Sequence, residues 1–171
     1  MIVGSWLKEM MIVVSREILF RAKAINRDEY ICRSQYKNGD WVYGLVTRLY
    51  DARFPSLPAE MTDINGISQI EIDYKTISQY TGMNDINGRK IFEGDIVHCK
   101  ARIDHANMFV TFEDGKFVMV LCEEFKTHKR GLGHYEIECF DKEVVGNIYD
   151  NPELIDKAIA KSKLRNYEIL A

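Results

Sequence analysis

The strongest constraint on the fold is a two-residue alternation of apolar and polar side chains that recurs along most of the chain. Residues 16–22 read R-E-I-L-F-R-A, so Ile18, Phe20 and Ala22 point one way, whereas Glu17 and Arg21 point the other. Successive side chains of a β-strand lie on opposite faces, and this spacing predicts strands with one buried face. Comparable runs lie at 30–36, 41–49, 70–74, 109–112, 117–121, 135–140 and 143–148. The alternation therefore predicts an all-β protein.

Turn-forming dipeptides separate several of these runs. Asn38-Gly39 and Asp114-Gly115 each stand between two alternating segments. Both dipeptides supply the positive-φ residues that tight turns need, so each is predicted to close a β-hairpin. The stretch 51–66 contains Pro55, Pro58 and Gly66 and breaks the alternation. It is predicted to be a long loop, with a helical turn near residues 59–62, inside an N-terminal β region that spans 16–78.

The segment 80–97, YTGMNDINGRKIFEGDIV, has the pattern of a turn that feeds a small, strongly curved barrel. A short strand at 90–92 is followed by the tight turn Glu93-Gly94-Asp95 and by a second strand at 96–101. Short strands punctuated by turn residues are typical of sandwiches and barrels. Residues 79–150 are therefore predicted to form an SH3-like, partly open barrel that packs against the N-terminal β region.

The two ends of the chain differ from the rest. Asn151-Pro152 fits a helix N-cap followed by proline, and an apolar stripe from Leu154 to Ile159 has helical spacing. The segment 151–171 is predicted to be a C-terminal α-helix, ending near Arg165, and a tail. Residues 1–15 are expected to be an N-terminal extension, or the product of a misplaced start codon.

Charge, cysteine spacing and hydropathy argue against several classes of function for this chain. The net charge is -3, whereas proteins that bind nucleic acid without sequence preference usually carry a strong basic excess. The four cysteines have no CxxC spacing and are expected to be reduced thiols in a cytoplasmic protein. Lys8 and Glu9 interrupt the short apolar start, and the run of about 20 apolar residues that a membrane helix needs is absent. No membrane partner is expected.

Several blocks, in this order and spacing, resemble the YopX family of phage and prophage proteins. They are residues 16–22, 39–44, 79–82, 87–88, 91–97 and 145–154. The resemblance implies an all-β fold with an SH3-like barrel and an origin in a phage or prophage of a bacterial host. It carries over no activity, because the family supplies no catalytic or binding residues.

Candidate catalytic and metal-binding residues have simpler explanations. Glu93 and Asp95 flank a glycine in a tight turn, where carboxylates usually diverge or accept hydrogen bonds from local N–H groups. The zinc-type ligands in the C-terminal half have spacings unlike those of zinc sites. They are Cys122, His128, His134 and Cys139. The sequence therefore predicts no catalytic residue, no metal site and no cofactor.

The strongest candidate binding element is a basic loop. Its residues are Lys126, His128, Lys129, Arg130 and His134, and no acidic residue interrupts them. Loops at one rim of a barrel often form its binding surface, although a charge run often only faces solvent. The leading hypothesis is a non-enzymatic accessory protein in the host cytoplasm that binds another protein, or itself as a homo-oligomer. The alternative is a nucleic-acid-binding barrel that uses residues 126–134.

Overall fold

The computed structural model describes residues 17–25, 36–49, 59–66, 68–100, 105–122, 134–137 and 141–155. The strands in these residues are β1 (Phe20–Lys23), β2 (Trp41–Arg48), β3 (Ala59–Asp63), β4 (Gln69–Ile72), β5 (Ser78–Asn84), β6 (Lys90–Phe92), β7 (Asp95–Lys100), β8 (His105–Glu113), β9 (Lys116–Leu121), β10 (His134–Glu136) and β11 (Asp141–Asn147). Two 3-10 turns, at Tyr74–Thr76 and Pro152–Leu154, complete the described structure. The prediction of an all-β protein is confirmed.

The first sheet has six antiparallel strands in the order β4-β3-β2-β1-β5-β6. It curls strongly, because the end of β1 reaches β4 through a single bridge between Ala24 and Ile72. Hydrogen bonds from Ile25 N–H to the Glu71 carbonyl and from Asp73 N–H to the Lys23 carbonyl flank this bridge. The concave face holds one apolar cluster. Its buried members are Ala22, Ala24, Val42, Ala59, Met61, Ile70 and Ile72.

The second sheet has five antiparallel strands in the order β10-β9-β8-β7-β11. Strands β7 to β10 form a meander, and β11 returns beside β7. Both faces of the sheet are apolar. One face packs with Ile91 of the first sheet, and the other packs with Leu154 and Ile155 after β11. Each face of the second sheet therefore carries a buried apolar cluster, and one of the two clusters joins it to the first sheet.

The described strands form two sheets and no closed barrel. Strands β5 and β6, which the sequence places in the predicted barrel 79–150, belong to the first sheet, since Phe20 and Arg21 of β1 pair with Gln79 and Ser78. The alternation identifies each strand but not its partner, because pairing depends on residues far apart in the chain. The SH3-like assignment itself stays a prediction.

Two further segments differ from the sequence-based expectation. Residues 59–63 form β3 between β2 and β4, where the sequence predicts part of the loop 51–66. After the short 3-10 turn Pro152–Leu154, Ile155 has extended backbone with φ of -112° and ψ of 130°, so the predicted helix is not continuous through this residue. The rest of the predicted helix, and the extension 1–15, lie outside the described residues.

The hairpin predicted at Asp114-Gly115 is confirmed. These two residues have φ of 51° and 80° and join β8 to β9. Such positive values match the twist of a two-residue hairpin turn. Gly39, in the other predicted hairpin, has φ of 88°. The strand predicted before it, at 30–36, lies outside the described residues apart from Tyr36, which is not in a strand.

Candidate functional site

The two sheets meet at the turn Glu93-Gly94-Asp95, which links β6 to β7. Asp95 is fully buried, and one of its carboxylate oxygens lies 2.5 Å from Nη2 of Arg21. Its other oxygen accepts a hydrogen bond of 2.8 Å from the Phe92 N–H, as expected for a turn carboxylate. The long-range ion pair, absent from the sequence-based expectation, joins the first sheet to the second.

Aromatic rings enclose the Arg21 guanidinium. Its Cζ atom lies 4.5 Å from the centre of the Trp41 ring and 4.8 Å from that of Phe92. Burial raises the pKa of Asp95, and the positive charge of Arg21 partly offsets this effect. Among the described buried side-chain polar atoms, Nε of Arg21 is the one without a hydrogen-bond partner. The pair is too deeply buried to meet a substrate, and its geometry fits a structural clamp.

A second clamp lies at the end of β11. Asp150 accepts hydrogen bonds from the Lys23 ammonium, from Nε1 of Trp41 at 2.8 Å and from Nδ2 of Asn147 at 2.9 Å. Partial burial opposes ionisation, but these donors dominate and lower the pKa of Asp150 to about 2. The neighbouring Tyr149 ring packs against Trp41 with 5.8 Å between ring centres. This end of β11 is therefore fixed to β1 and β2.

A third clamp covers the outer edge of β11. Oδ2 of Asp85, in the turn between β5 and β6, accepts a hydrogen bond from the Val144 N–H, and Oδ1 accepts from the N–H groups of Asn87 and Arg89. Burial alone would raise the pKa of Asp85, but the three donors together lower it. An uncovered strand edge invites pairing with other chains, so this turn protects β11.

These lowered pKa values predict acid sensitivity. A carboxylate with a depressed folded-state pKa contributes stability that is present above its unfolded pKa, near 4, and is lost as the pH falls. For Asp150 the loss extends down to about pH 2. Asp150→Asn should therefore lower the melting temperature at pH 6 and flatten its decline between pH 4 and pH 2. Thermal unfolding across this range measures the effect, and parallel curves for the two proteins would contradict it.

An exposed apolar patch lies on the convex face of the first sheet, and we name its three side chains the outer-face patch. Tyr43 is 38% exposed, Leu45 52% and Ile64 62%. Tyr43 and Leu45 lie two residues apart on β2 and therefore share a face, and the Ile64 N–H donates to the Tyr43 carbonyl at 2.7 Å. The Tyr43 ring packs edge-on against Phe92. The patch thus sits on a rigid, well-supported sheet.

A charged row borders the outer-face patch. Glu60 of β3 lies two residues from Thr62, the partner of Leu45, and pairs with Glu71 of β4, so both glutamates project from the same face as Leu45. A register shift after Val46 brings Arg48 of β2 opposite Glu60. Arg48 and Glu60 form an ion pair of 3.1 Å. The outer-face patch and the charged row therefore lie side by side on one face of the first sheet.

The predicted binding loop is largely outside the described residues. Lys126, His128, Lys129 and Arg130 fall in the stretch 123–133, for which the structure gives no description. His134 begins β10, where its backbone pairs with Val120, and its side chain is not described.

The described residues contain neither a cluster of metal ligands nor a membrane-spanning helix. Within them, no three His, Cys, Asp or Glu side chains are arranged to hold a metal ion. Of the four zinc-type ligands in the sequence, Cys122 is a buried cysteine. His128 and Cys139 lie outside the described ranges. The same ranges contain no helix of the length and apolarity needed to cross a bilayer.

One local sequence feature indicates the outer-face patch, although the two-residue alternation of the strands does not reveal it. Residues 41–46 read W-V-Y-G-L-V, with no polar side chain. A continuous apolar run in a strand indicates two apolar faces. One face of β2 lies in the concave core, and Tyr43 and Leu45 on the other face remain exposed. The Arg21–Asp95 pair has no such local signal, since 74 residues separate its members.

One comparison with known proteins identifies a family, and none of them names an activity. A family model described as "YopX protein" matches residues 7–156. Among solved structures, the chain is similar to protein EF1440 from Enterococcus faecalis, at 25% identity and a TM-score of 0.45. That match covers 83% of this chain and 100% of EF1440. No curated protein matches the sequence.

Proposed function

This chain belongs to the YopX family, and from this premise we propose that it is a non-enzymatic phage or prophage accessory protein that binds another protein. The observation that carries the proposal is the outer-face patch of Tyr43, Leu45 and Ile64. The sequence resemblance to phage and prophage proteins supports the origin and a location in the cytoplasm of the bacterial host.

The arrangement of the patch suits protein recognition. Contiguous exposed apolar surface on a monomer, rimmed by polar groups, often marks an interaction site. Tyr43 presents a large, partly exposed ring that packs against Phe92, and Leu45 and Ile64 extend the apolar area from β2 to the turn after β3. A rigid surface loses little conformational entropy when a partner binds.

The carboxylates of the inter-sheet clamps support a binding role over a catalytic one. Asp85, Asp95 and Asp150 each accept two or three hydrogen bonds from backbone or side-chain donors that join strands. A general acid or base must reach a bound substrate. The three carboxylates instead accept hydrogen bonds that hold the two sheets together.

The variant Leu45→Asp tests the proposal. It should leave the fold intact, because the side chain is half exposed, and should remove at least 90% of partner capture, because a buried unpaired charge at an interface is costly. Ile86→Asp is the matched control, since Ile86 is 51% exposed and lies on the turn beside β11. The measurement is crosslinking and mass spectrometry in the host that carries the phage. Equal capture by wild type and Leu45→Asp would reject the outer-face patch as the binding surface.

The basic loop supports nucleic-acid binding as the second candidate. It concentrates the positive charges of Lys126, Lys129 and Arg130 in a chain whose net charge is -3. If this candidate holds, DNA or RNA binding weakens steeply with added salt, and replacing the three residues by alanine lowers affinity and reduces the salt slope by about 3. Gel retardation at several salt concentrations measures both. The absence of retardation at low salt would reject the candidate.

A further inference from the structure

The turn between β5 and β6, two strands of the first sheet, covers the outer edge of β11 in the second sheet. We propose that residues 84–89, which we name the strap, open as a unit while both sheets stay folded. Opening uncovers the edge of β11 and makes it available for strand pairing. This inference goes beyond the proposed function, because it concerns an edge of the second sheet and not the outer-face patch.

Two backbone groups of β11 point away from β7 and toward the strap. The Val144 N–H donates to Oδ2 of Asp85 at 3.1 Å, and the Lys142 carbonyl accepts from the Ile86 N–H at 3.0 Å. In an antiparallel sheet, outward N–H and C=O groups of this kind pair with the next strand. The strap thus supplies one acceptor and one donor in place of a neighbouring strand.

The strap has internal hydrogen bonds that hold its shape. Oδ1 of Asp85 accepts from the N–H groups of Asn87 and Arg89, each at 2.8 Å. The Asp85 N–H donates to the Arg89 carbonyl, and the Gly88 N–H donates to the Asp85 carbonyl. These bonds do not involve β11, so they persist when the strap moves away from it. The strap therefore moves as one body.

The attachment of the strap to β11 is polar. Besides the two backbone contacts, Nδ2 of Asn87 donates to Oε1 of Glu143 at 3.2 Å, at an exposed position. Ile86, the large apolar side chain of the strap, is 51% exposed, so opening uncovers little apolar surface. A hydrogen bond of ordinary net strength favours the closed state by about a factor of five, so with three such bonds the strap is open about 1% of the time.

The chain on either side of the strap permits this motion. Gly82 has φ of 88° with nothing within 4 Å of an added Cβ atom, and the β5–β6 register shifts between Tyr80 and Asn84. The strap is therefore joined to β5 through an irregular segment with space around it. On its other side, Ile91 is fully buried in the apolar cluster of the second sheet, so β6 stays in place.

Native-state hydrogen exchange, measured at single amides by NMR, tests the strap. The Ile86 and Val144 amides should show one common opening equilibrium, because both of their hydrogen bonds break when the strap leaves β11. Val118 pairs with β8 inside the second sheet, and its amide should exchange at least about tenfold more slowly after correction for intrinsic rates. Strap amides as slow as that of Val118 would overturn the inference.

Asn87→Ala separates a moving strap from a static cap. The variant removes the side-chain contact with Glu143, and it should raise the exchange rates of both strap-to-β11 amides about fivefold, because the whole strap opens more often. Exchange of the Ile86 amide at the wild-type rate would overturn the motion as a unit. Asp40→Ala is the matched control. It removes a hydrogen bond from the Lys37 N–H in the turn before β2 and should change neither rate.

A loosened strap should promote pairing at the edge of β11. Uncovered strand edges pair readily with other chains. Asp85→Ala removes the acceptor for the Val144 N–H and should raise the self-association constant about tenfold, in proportion to the open fraction. Light scattering over a range of protein concentrations measures this constant. If thermal unfolding shows that Asp85→Ala does not fold, Asn87→Ala replaces it, with an expected increase of about fivefold.

The outcomes separate this edge from the outer-face patch. A self-association constant equal to that of wild type would overturn the role of the strap at β11. Adding Leu45→Asp to the loosened variant should leave the association unchanged. If the double variant loses the association, the pairing occurs at the outer-face patch, which overturns the inference and leaves the proposed function standing.

Discussion

Asp95→Ala is expected to lower the free energy of unfolding by about 3–5 kcal/mol, the usual cost of removing one member of a buried ion pair. The variant leaves the Arg21 guanidinium 2% exposed between two aromatic rings, with no counter-charge. It also removes the acceptor for the Phe92 N–H. Because Nε of Arg21 already lacks a partner, the loss would leave this side chain with still fewer hydrogen bonds. Urea denaturation followed by tryptophan fluorescence measures the change.

Two comparisons separate the buried charge from other effects of Asp95→Ala. The double variant Arg21→Met/Asp95→Ala removes both charges and should recover most of the loss, since an apolar replacement of a buried pair is often neutral. Lys90→Ala breaks the exposed pair with Glu17 and should cost no more than about 1 kcal/mol. A double variant as unstable as Asp95→Ala would show that the cost comes from the lost turn contacts and not from the unpaired guanidinium.

The sequence could predict those features of the fold that depend on residues close together in the chain. Asp114-Gly115 forms the expected hairpin because its turn conformation depends on the two residues themselves. The family resemblance was also predictable, since ordered blocks at fixed spacing are specific. Strand β3 was missed because A-E-M-T-D has weak strand propensity, and its conformation depends on pairing with β2 and β4.

The inter-sheet contacts were not predictable because they join distant residues. The alternation of residues 16–22 places Arg21 on the polar side of β1, and the pattern predicts that this side faces solvent. In the structure that side is covered by Asp95, Trp41 and Phe92, and Arg21 is buried. A period-two pattern distinguishes two faces but does not say what covers each. The outer-face patch was not predictable for the same reason, since the pattern does not distinguish exposed apolar residues from buried ones.

Gly44→Ala is expected to be as damaging as the loss of Asp95, for a steric reason. A Cβ atom at residue 44 would lie 1.8 Å from the Thr62 carbonyl oxygen and 2.8 Å from its carbon. These are backbone atoms of β3, so the clash cannot be relieved by a side-chain rotation and must separate β2 from β3. We expect a loss of about 3 kcal/mol or more, a large fraction of the 5–15 kcal/mol that stabilises a typical domain.

Gly88→Ala provides the matched comparison, because it adds the same methyl group where nothing lies within 4 Å. Its cost should be only the strain of φ near 79° for a residue with a Cβ atom, about 1–2 kcal/mol. Thermal and urea unfolding of the two variants therefore distinguish close strand approach from backbone conformation. If Gly44→Ala is no more destabilising than Gly88→Ala, β2 and β3 are not as close as this register places them. The outer-face patch, which extends from β2 to the turn after β3, would then have a different shape.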